Sequence, residues 1–584
     1  MTVALPRGTP PTPDLCGPAD TSRATLDAAV AGLQARKAAW TAVSAGERIA
    51  ILDELTRGFL AVADRWSAAC QAAEGLDPSQ PASGEEALVG PYFILRTLRL
   101  LRSSLRDVAA GRRPRIPGPV TTLPNGQVSA RVFPQDLYER LFYTGVTAEV
   151  WMEPGVTRET LPATQAVAYF QAQGLGGVAL VLGGGNVSSI GPMDALYKLF
   201  VEDLVVLYKV HPVNAYLGPL LDEGFRALIG RGFLTQAYGG AEVGSYLCGH
   251  PSIDEIHITG SDKTYEAIVF GPGPEGERRK REGRPAIAKR VTAELGNVSP
   301  VIVVPGPWSA GDFAYHAENL VTMLTNNAGF NCNAARVIVT DAAWSGRQPL
   351  LAGVRKLLAR VPPRRAWYPG AAARHAAFLG RHPEAEIFGD AGSAADGALP
   401  WALIPGLDPR KEDEICFSTE AFCGVFGETA LASNNVLEYL ERAVAFANER
   451  LWGTLNATLL VHPRTLRQPG VKAAVERAIA DLRYGTVAVN HWAAIGYGLV
   501  VTPWGAYPGH EVSDIQSGAG VVHNTLMFTR VQKSVVRAPF RVLPKPVWFA
   551  THRTAHRLTP KLSRFEAAPS PAKLPGIFAL ALRG

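Results

Sequence analysis

Apolar positions between residues 23 and 74 recur three and four apart: Leu26, Ala29, Val30 and Leu33, then Ile51, Leu55, Phe59 and Val62. That spacing predicts two amphipathic helices behind a Pro-rich lead. The stretch from about 87 to 110, with its alternation of Leu and Arg, predicts another helix. Residues 111 to 176 are punctuated by prolines and short extended runs, Ala166–Gln171 among them, which predicts loops and edge strands. From Gly177 the texture changes. Short apolar runs at Val178–Leu182, Leu204–Leu207, Ile256–Ile258 and Val301–Val304 alternate with helical patterns, the rhythm of βαβ units. A second series follows Cys332: Val337–Thr340, a helix at 348–360, Ala421–Phe426, a helix at 434–449 and Thr458–Val461. Two pieces read as additions with solvated surfaces: the charged loop Pro272–Pro285 and a basic tail after about residue 541.

Length turns this pattern into more than one core, because 584 residues suggest two or three domains. A net charge of +6 is small for such a chain and gives no ground for nucleic-acid binding. The six cysteines are too few for a disulfide framework, and His and Cys show no zinc spacing, so no metal site is expected. The N-terminus lacks the apolar stretch of a signal peptide, and no long uncharged apolar run predicts a membrane helix. A reducing cytoplasm is the expected home.

Three segments carry candidate chemistry. In Thr325-Asn326-Asn327-Ala328-Gly329-Phe330-Asn331-Cys332-Asn333-Ala334-Ala335-Arg336, the cysteine sits among Asn and Gly and is followed by small residues that suit a helix start. A helix N-terminus there would lower the thiol pKa. A lone cysteine is equally the mark of a small buried hydrophobe. Upstream, Ala293-Glu294-Leu295-Gly296-Asn297 puts a carboxylate at the end of an apolar strand. Gly183-Gly184-Gly185-Asn186 follows another strand but fits neither common phosphate-loop pattern.

Taken together, these segments resemble the aldehyde dehydrogenase superfamily. Glu294–Gly296 and Gly329–Cys332 resemble its two best-known motifs, in the expected order. Asn186 matches the active-site Asn, and Val206-Leu207-Tyr208-Lys209 is similar to the cofactor-binding Lys segment. Ile258-Thr259-Gly260-Ser261 resembles the strand and turn that meet the pyrophosphate. Thr419-Glu420-Ala421-Phe422 is similar to the later Glu-x-Phe motif, and Gly485–Asn490 to the strand closing the catalytic domain. The matches run collinearly from about residue 24 to 537.

The resemblance implies a division of labour. Cys332 is the nucleophile, Glu294 the general base, and Asn186 with the Cys332 backbone N–H the oxyanion donors. Lys209, Gly260, Ser261, Gly296, Glu420 and Phe422 bind NAD or NADP. The position three after Lys209, usually a Glu, is Pro212 here, so NADP is expected to be tolerated. Two alternatives stay open: a CoA-acylating or acyl-reducing enzyme using the same cysteine, and a catalytically idle homologue.

The implied fold is α/β, aldehyde-dehydrogenase-like, with two Rossmann-like α/β/α domains and a small β oligomerisation element. The expected division is 1–139, the helical part of the cofactor-binding domain; 140–172, an oligomerisation flap; and 173–298, the dinucleotide-binding domain. It continues with 299–505, the catalytic domain; 506–540, a C-terminal oligomerisation segment; and 541–584, the basic tail. The expected partners are a small aldehyde and further copies of the chain, as a homodimer or homotetramer. Contact of the tail with a membrane surface is a lesser possibility than packing on a neighbouring subunit.

Overall fold

The computed structural model describes residues 17–171, 176–389 and 397–584. The Pro-rich lead and Cys16 lie outside them. The predicted first helices are Arg23–Thr41 and Ala45–Glu74, with Leu26, Val30, Leu33, Ile51, Leu55, Phe59 and Val62 all buried. Ser44 starts the second helix through a capping box, its side chain accepting from Glu47 N while Glu47 returns to Ser44 N. The third prediction becomes a short turn at Gly84–Ala87, a π-helical turn containing Pro91, and the helix Phe93–Ala109.

Two sheets organise the rest. The first has six strands in the order Gly518–Ala519, Arg290–Leu295, Glu255–Gly260, Val178–Leu182, Val205–Lys209 and Leu234–Ala237. All its pairings are parallel except the first. The chain leaves Val178–Leu182 toward one edge and returns on its other side through Glu255–Gly260. Such a reversal opens a crevice at the carboxyl ends of the two strands. The expected boundary of the dinucleotide-binding domain at 173–298 encloses all of these strands but Gly518–Ala519.

The second sheet has eleven strands. Parallel strands Ser299–Val303, Ala335–Asp341, Val425–Leu431, Trp401–Leu407, Asn456–Leu460 and Thr486–Val489 form its middle. Val531–Arg537 continues it in parallel beside Thr486–Val489, and Thr147–Met152 then pairs antiparallel with Val531–Arg537. The strands expected to build a separate oligomerisation element therefore extend this chain's own catalytic sheet. Val128–Phe133, expected within a helical part, adds to the same edge.

Several local expectations are corrected. Ala166–Gln171 is not extended: Val167–Phe170 makes a helical turn entered through Ala166 in the left-handed region. The charged loop is largely a helix, Gly273–Arg281, with Pro274 near its start and Glu275 bonded to Arg278 and Arg279. Ala421–Phe426 joins the sheet only from Val425. The tail is not a solvated appendage. Its helices Ala555–Ala567 and Leu574–Ala581 bury Leu558, Phe565, Ile577 and Leu580, and the first packs on Ala45–Glu74, Gly84–Ala87 and Phe93–Ala109.

An ion-pair network fixes that contact. Arg96, fully buried, reaches Glu139 at 2.6 Å and Glu566 at 2.9 Å, while Arg99 holds the other Glu566 oxygen at 2.6 Å. The two guanidinium groups, Arg99 first, keep the Glu566 carboxyl below its ordinary pKa despite burial. Removing one partner leaves charges buried and uncompensated, so Glu566→Ala should cost about 3–5 kcal/mol. The check is a lowered unfolding midpoint. Because the folded-state pKa is depressed, the Glu566 contribution is present above the unfolded carboxylate pKa and lost on acidification through the folded one.

Candidate active site

The crevice between the sheets is a cleft of about 1190 Å³. Asn186, Lys209, Gly260, Ser261, Glu294, Gly296, Cys332, Glu420 and Phe422, all picked out from the sequence, line it together. They arrive from six separate segments.

At one end lie the carboxyl termini of Val178–Leu182, Val205–Lys209 and Glu255–Gly260. Gly185 lies so close to His211 that a Cβ there would meet the ring Nδ1 at 2.3 Å. Lys209 ends its strand, and burial pulls its ammonium down to about 8. Asp20, from the segment before the first helix, acts in the opposite direction on Lys209. Ser261 is the N-cap of Asp262–Val269, accepting from Thr264 N at 3.2 Å. Gly260 needs no glycine for space, since a Cβ would meet only Ile258 atoms at 3.5 Å.

Toward the other end, Glu294 stands at the close of Arg290–Leu295, only 4% exposed. Trp504 Nε1 donates to its Oε1 at 3.3 Å, and Cys332 lines the cleft beside the same carboxyl. Burial raises the Glu294 pKa to about 8, with Asp194 and Glu420 adding to the rise. Burial also pushes the Cys332 thiol well above its usual value, and Glu294 beside it pushes further. The expected helix start after Cys332 is absent: the cysteine occupies a turn that runs into the strand Ala335–Asp341. No helix N-terminus stands at Cys332 to lower its pKa.

The turn before Cys332 is strained. Asn327, Ala328 and Gly329 all take positive φ, at 52°, 53° and 82°. Asn and Gly tolerate that region, whereas Ala328 pays roughly 1–2 kcal/mol. Gly329 has a second reason to be glycine, because a Cβ would meet the Cys423 carbonyl oxygen at 2.6 Å. Asn186 is laced to the turn: its Nδ2 donates to Phe330 O at 2.8 Å, and its carbonyl accepts from Asn327 Nδ2 at 2.7 Å.

Arg336 closes the structure from behind. Its buried guanidinium donates to Gly329 O at 2.7 Å, Cys423 O at 2.8 Å and Asn331 O at 3.3 Å. It thereby ties the nucleophile turn to the segment carrying Glu420 and Phe422. Burial raises the Glu420 pKa to about 7, opposed chiefly by Arg336. Glu420 Oε1 is buried without a partner, and a Cβ on Gly296 would lie 2.0 Å from its Oε2. Phe422, itself at φ 42°, packs edge-on against Tyr368 at 5.2 Å.

Residue types alone gave no sign of Trp504, Arg336, Asn327 or Tyr368 as parts of this site. Arg336 stood in the cysteine segment, but its three carbonyl partners come from folding. The orphaned Glu420 oxygen and the glycine-bordered end of the cleft fit a dinucleotide, whose ribose hydroxyls are donors and whose phosphates suit backbone N–H groups and a cation.

Comparison with known proteins agrees. Residues 157–356 match the sequence pattern of the aldehyde dehydrogenase family. N-succinylglutamate 5-semialdehyde dehydrogenase of Sphingopyxis alaskensis is 27% identical over 187 residues, 32% of this chain and 35% of that protein. Coniferyl aldehyde dehydrogenase of a Pseudomonas species is 28% identical over 184 residues, 32% of this chain and 34% of its own. The alignments thus span about a third of these relatives. The fold likeness is broader. A Pseudomonas syringae aldehyde dehydrogenase C variant, solved with NAD+ and octanal, superposes with TM-score 0.59 at 18% identity, covering 90% of this chain and 91% of that one. An NADP-dependent glyceraldehyde-3-phosphate dehydrogenase from Bacillus halodurans, complexed with NADP, gives 0.58 at 17%, covering 88% and 92%. Residues 157–356 thus carry the family's sequence pattern, and the fold over most of the chain is that of solved aldehyde dehydrogenases.

Arg336→Met should strand buried carbonyl oxygens at about 1–3 kcal/mol each. The expected result is a lower melting temperature together with slower alkylation of Cys332 by a thiol reagent. Unchanged alkylation would separate the clamp from the nucleophile's geometry.

Proposed function

We propose that the chain oxidises an aldehyde to its carboxylic acid with NAD+ or NADP+. The observation that carries this reading is the placement of Cys332 and Glu294 together in one cleft whose far end suits a dinucleotide.

Burial keeps the Cys332 thiol neutral and raises the proton affinity of the Glu294 carboxyl beside it, so the carboxylate form of Glu294 is the one that takes the Cys332 proton. Transfer of that proton to Glu294 makes the thiolate, which attacks the aldehyde carbon. The Asn186 amide, anchored by one N–H to Phe330, keeps its second N–H for the developing oxyanion, beside the Cys332 backbone N–H. A nicotinamide held in the cleft would supply the hydride acceptor for oxidation of the carbon held on Cys332. Glu420, Gly296 and Phe422 would hold its ribose side, and Lys209, Gly260 and Ser261 the phosphate and adenine side. Once Glu294 has released its proton, it draws a proton from water as that water attacks the thioester. Hydrolysis favours the non-acylating reading, since the base stands beside the sulfur.

Cys332→Ala should abolish NAD(P)H formation with any aldehyde, and Glu294→Gln, which removes the acceptor of the Cys332 proton as well as the base for hydrolysis, should depress both the burst of reduced cofactor and steady turnover. Reduction of an acyl-CoA in place of aldehyde oxidation would move the protein to the acylating class. Asn186→Ala should lower kcat by about 10²–10³. Measurable turnover with NADP+ is also expected, because Pro212 replaces a carboxylate beside Lys209; strict NAD+ use would overturn that.

Thioester hydrolysis needs the carboxylate form of Glu294, so its rate should rise with pH through about 8. Trp504 Nε1–H favours that charged form, and Trp504→Phe should shift the limb to higher pH. A limb that stays in place would show that Trp504 does not tune the base.

A further inference from the structure

A second constellation lies outside the cleft, where the sequence showed no zinc spacing. His382, Glu414 and Cys416 are all buried, and one donor atom from each lies within 4.8 Å of the others. His382 Nε2 is 2.8 Å from Glu414 Oε1 and 3.9 Å from Cys416 Sγ. We propose that these three side chains bind a zinc-class divalent cation that anchors the cofactor-facing segment of the catalytic domain.

The ring orientation supports this. His382 Nδ1 lies 2.8 Å from Glu384 Oε1, the arrangement of a carboxylate that takes the distal ring proton and turns the other nitrogen toward a metal. With the proton on Nδ1, Nε2 presents a lone pair to the Glu414 carboxylate, and a cation entering there would part the two atoms by roughly half an ångström from their hydrogen-bond distance. The Cys416 thiol, 3.9 Å from the same nitrogen, faces that point from a third side. Imidazole, carboxylate and thiolate together are the donor set of a borderline-soft divalent ion. Glu414 Oε2 already accepts from Lys411 at 3.1 Å, and Oε1 also accepts from Cys416 N at 3.0 Å. The remaining position on the ion would be left to water.

The site sits where it would matter. Glu414 caps the single turn Ile415–Ser418, and Phe417 O accepts from Trp452 N at 2.8 Å. Ser418, Thr419 and Glu420 follow directly and line the cleft. A cation on Glu414 and Cys416 would therefore fix the base of the segment that presents Glu420. Burial and the adjacent Glu414 hold the Cys416 thiol protonated in the absence of a cation, so binding must release that proton.

The test uses the full chain as Cys332→Ala, which removes the active-site thiol from competition. After chelator treatment, addition of Zn2+ should bind a single equivalent with proton release, and Co2+ should give a thiolate-to-cobalt charge-transfer band. Cys416→Ser should abolish the band while the protein stays folded by circular dichroism. Glu384→Gln, a change at a half-exposed position, should weaken Zn2+ by about 10–100-fold. Equal Zn2+ uptake by the Cys332→Ala protein and its Cys416→Ser derivative overturns the proposal. So does absence of stoichiometric binding, which leaves His382 as an imidazolium between two carboxylates.

Discussion

The guanidinium of Arg336 bonds three carbonyl oxygens in the interior, and the geometry of the cleft depends on it. A cation placed where water cannot reach is costly, and only charge-assisted hydrogen bonds in good geometry make it tolerable. Those bonds go to Gly329 and Asn331 on the nucleophile side and to Cys423 on the cofactor side. Two segments separated by about ninety residues are held in register by one planar group. The left-handed run Asn327–Gly329 persists because this clamp and the Asn186 amide over-determine it.

Around that clamp, burial sets the proton chemistry. Glu294, Glu420 and Cys332 all have their charged forms disfavoured by desolvation. This works against a resting thiolate and for a carboxyl able to take up and release a proton near neutral pH. A single low-dielectric environment raises the Glu294 carboxyl and the Cys332 thiol together. Trp504 opposes the rise at Glu294 with one N–H, so the base is tuned by a residue from the far end of the chain.

The periphery shows the same economy of contacts. The strands Thr147–Met152 and Val531–Arg537 satisfy each other and the catalytic sheet within one chain. The C-terminal helices close over the N-terminal ones through Arg96, Glu139 and Glu566. Basic composition had suggested a solvated tail, yet composition does not distinguish free cations from those paired across hundreds of residues.

The sequence by itself determined the helices at 23–74 and the βαβ rhythm after Gly177, and singled out Cys332, Glu294, Asn186 and Glu420, which line one cleft, because period and motif spacing are local properties of the chain. It misplaced what depends on distant partners. The residues after Cys332 suit a helix start by composition, but pairing with Ser299–Val303 and Val425–Leu431 makes them a strand. Arg336, Trp504 and the His382–Glu414–Cys416 cluster were unreadable for the same reason. Each has a partner that is distant in sequence (Cys423 for Arg336, Glu294 for Trp504, Glu414 for His382), and only tertiary packing brings these within hydrogen-bonding distance.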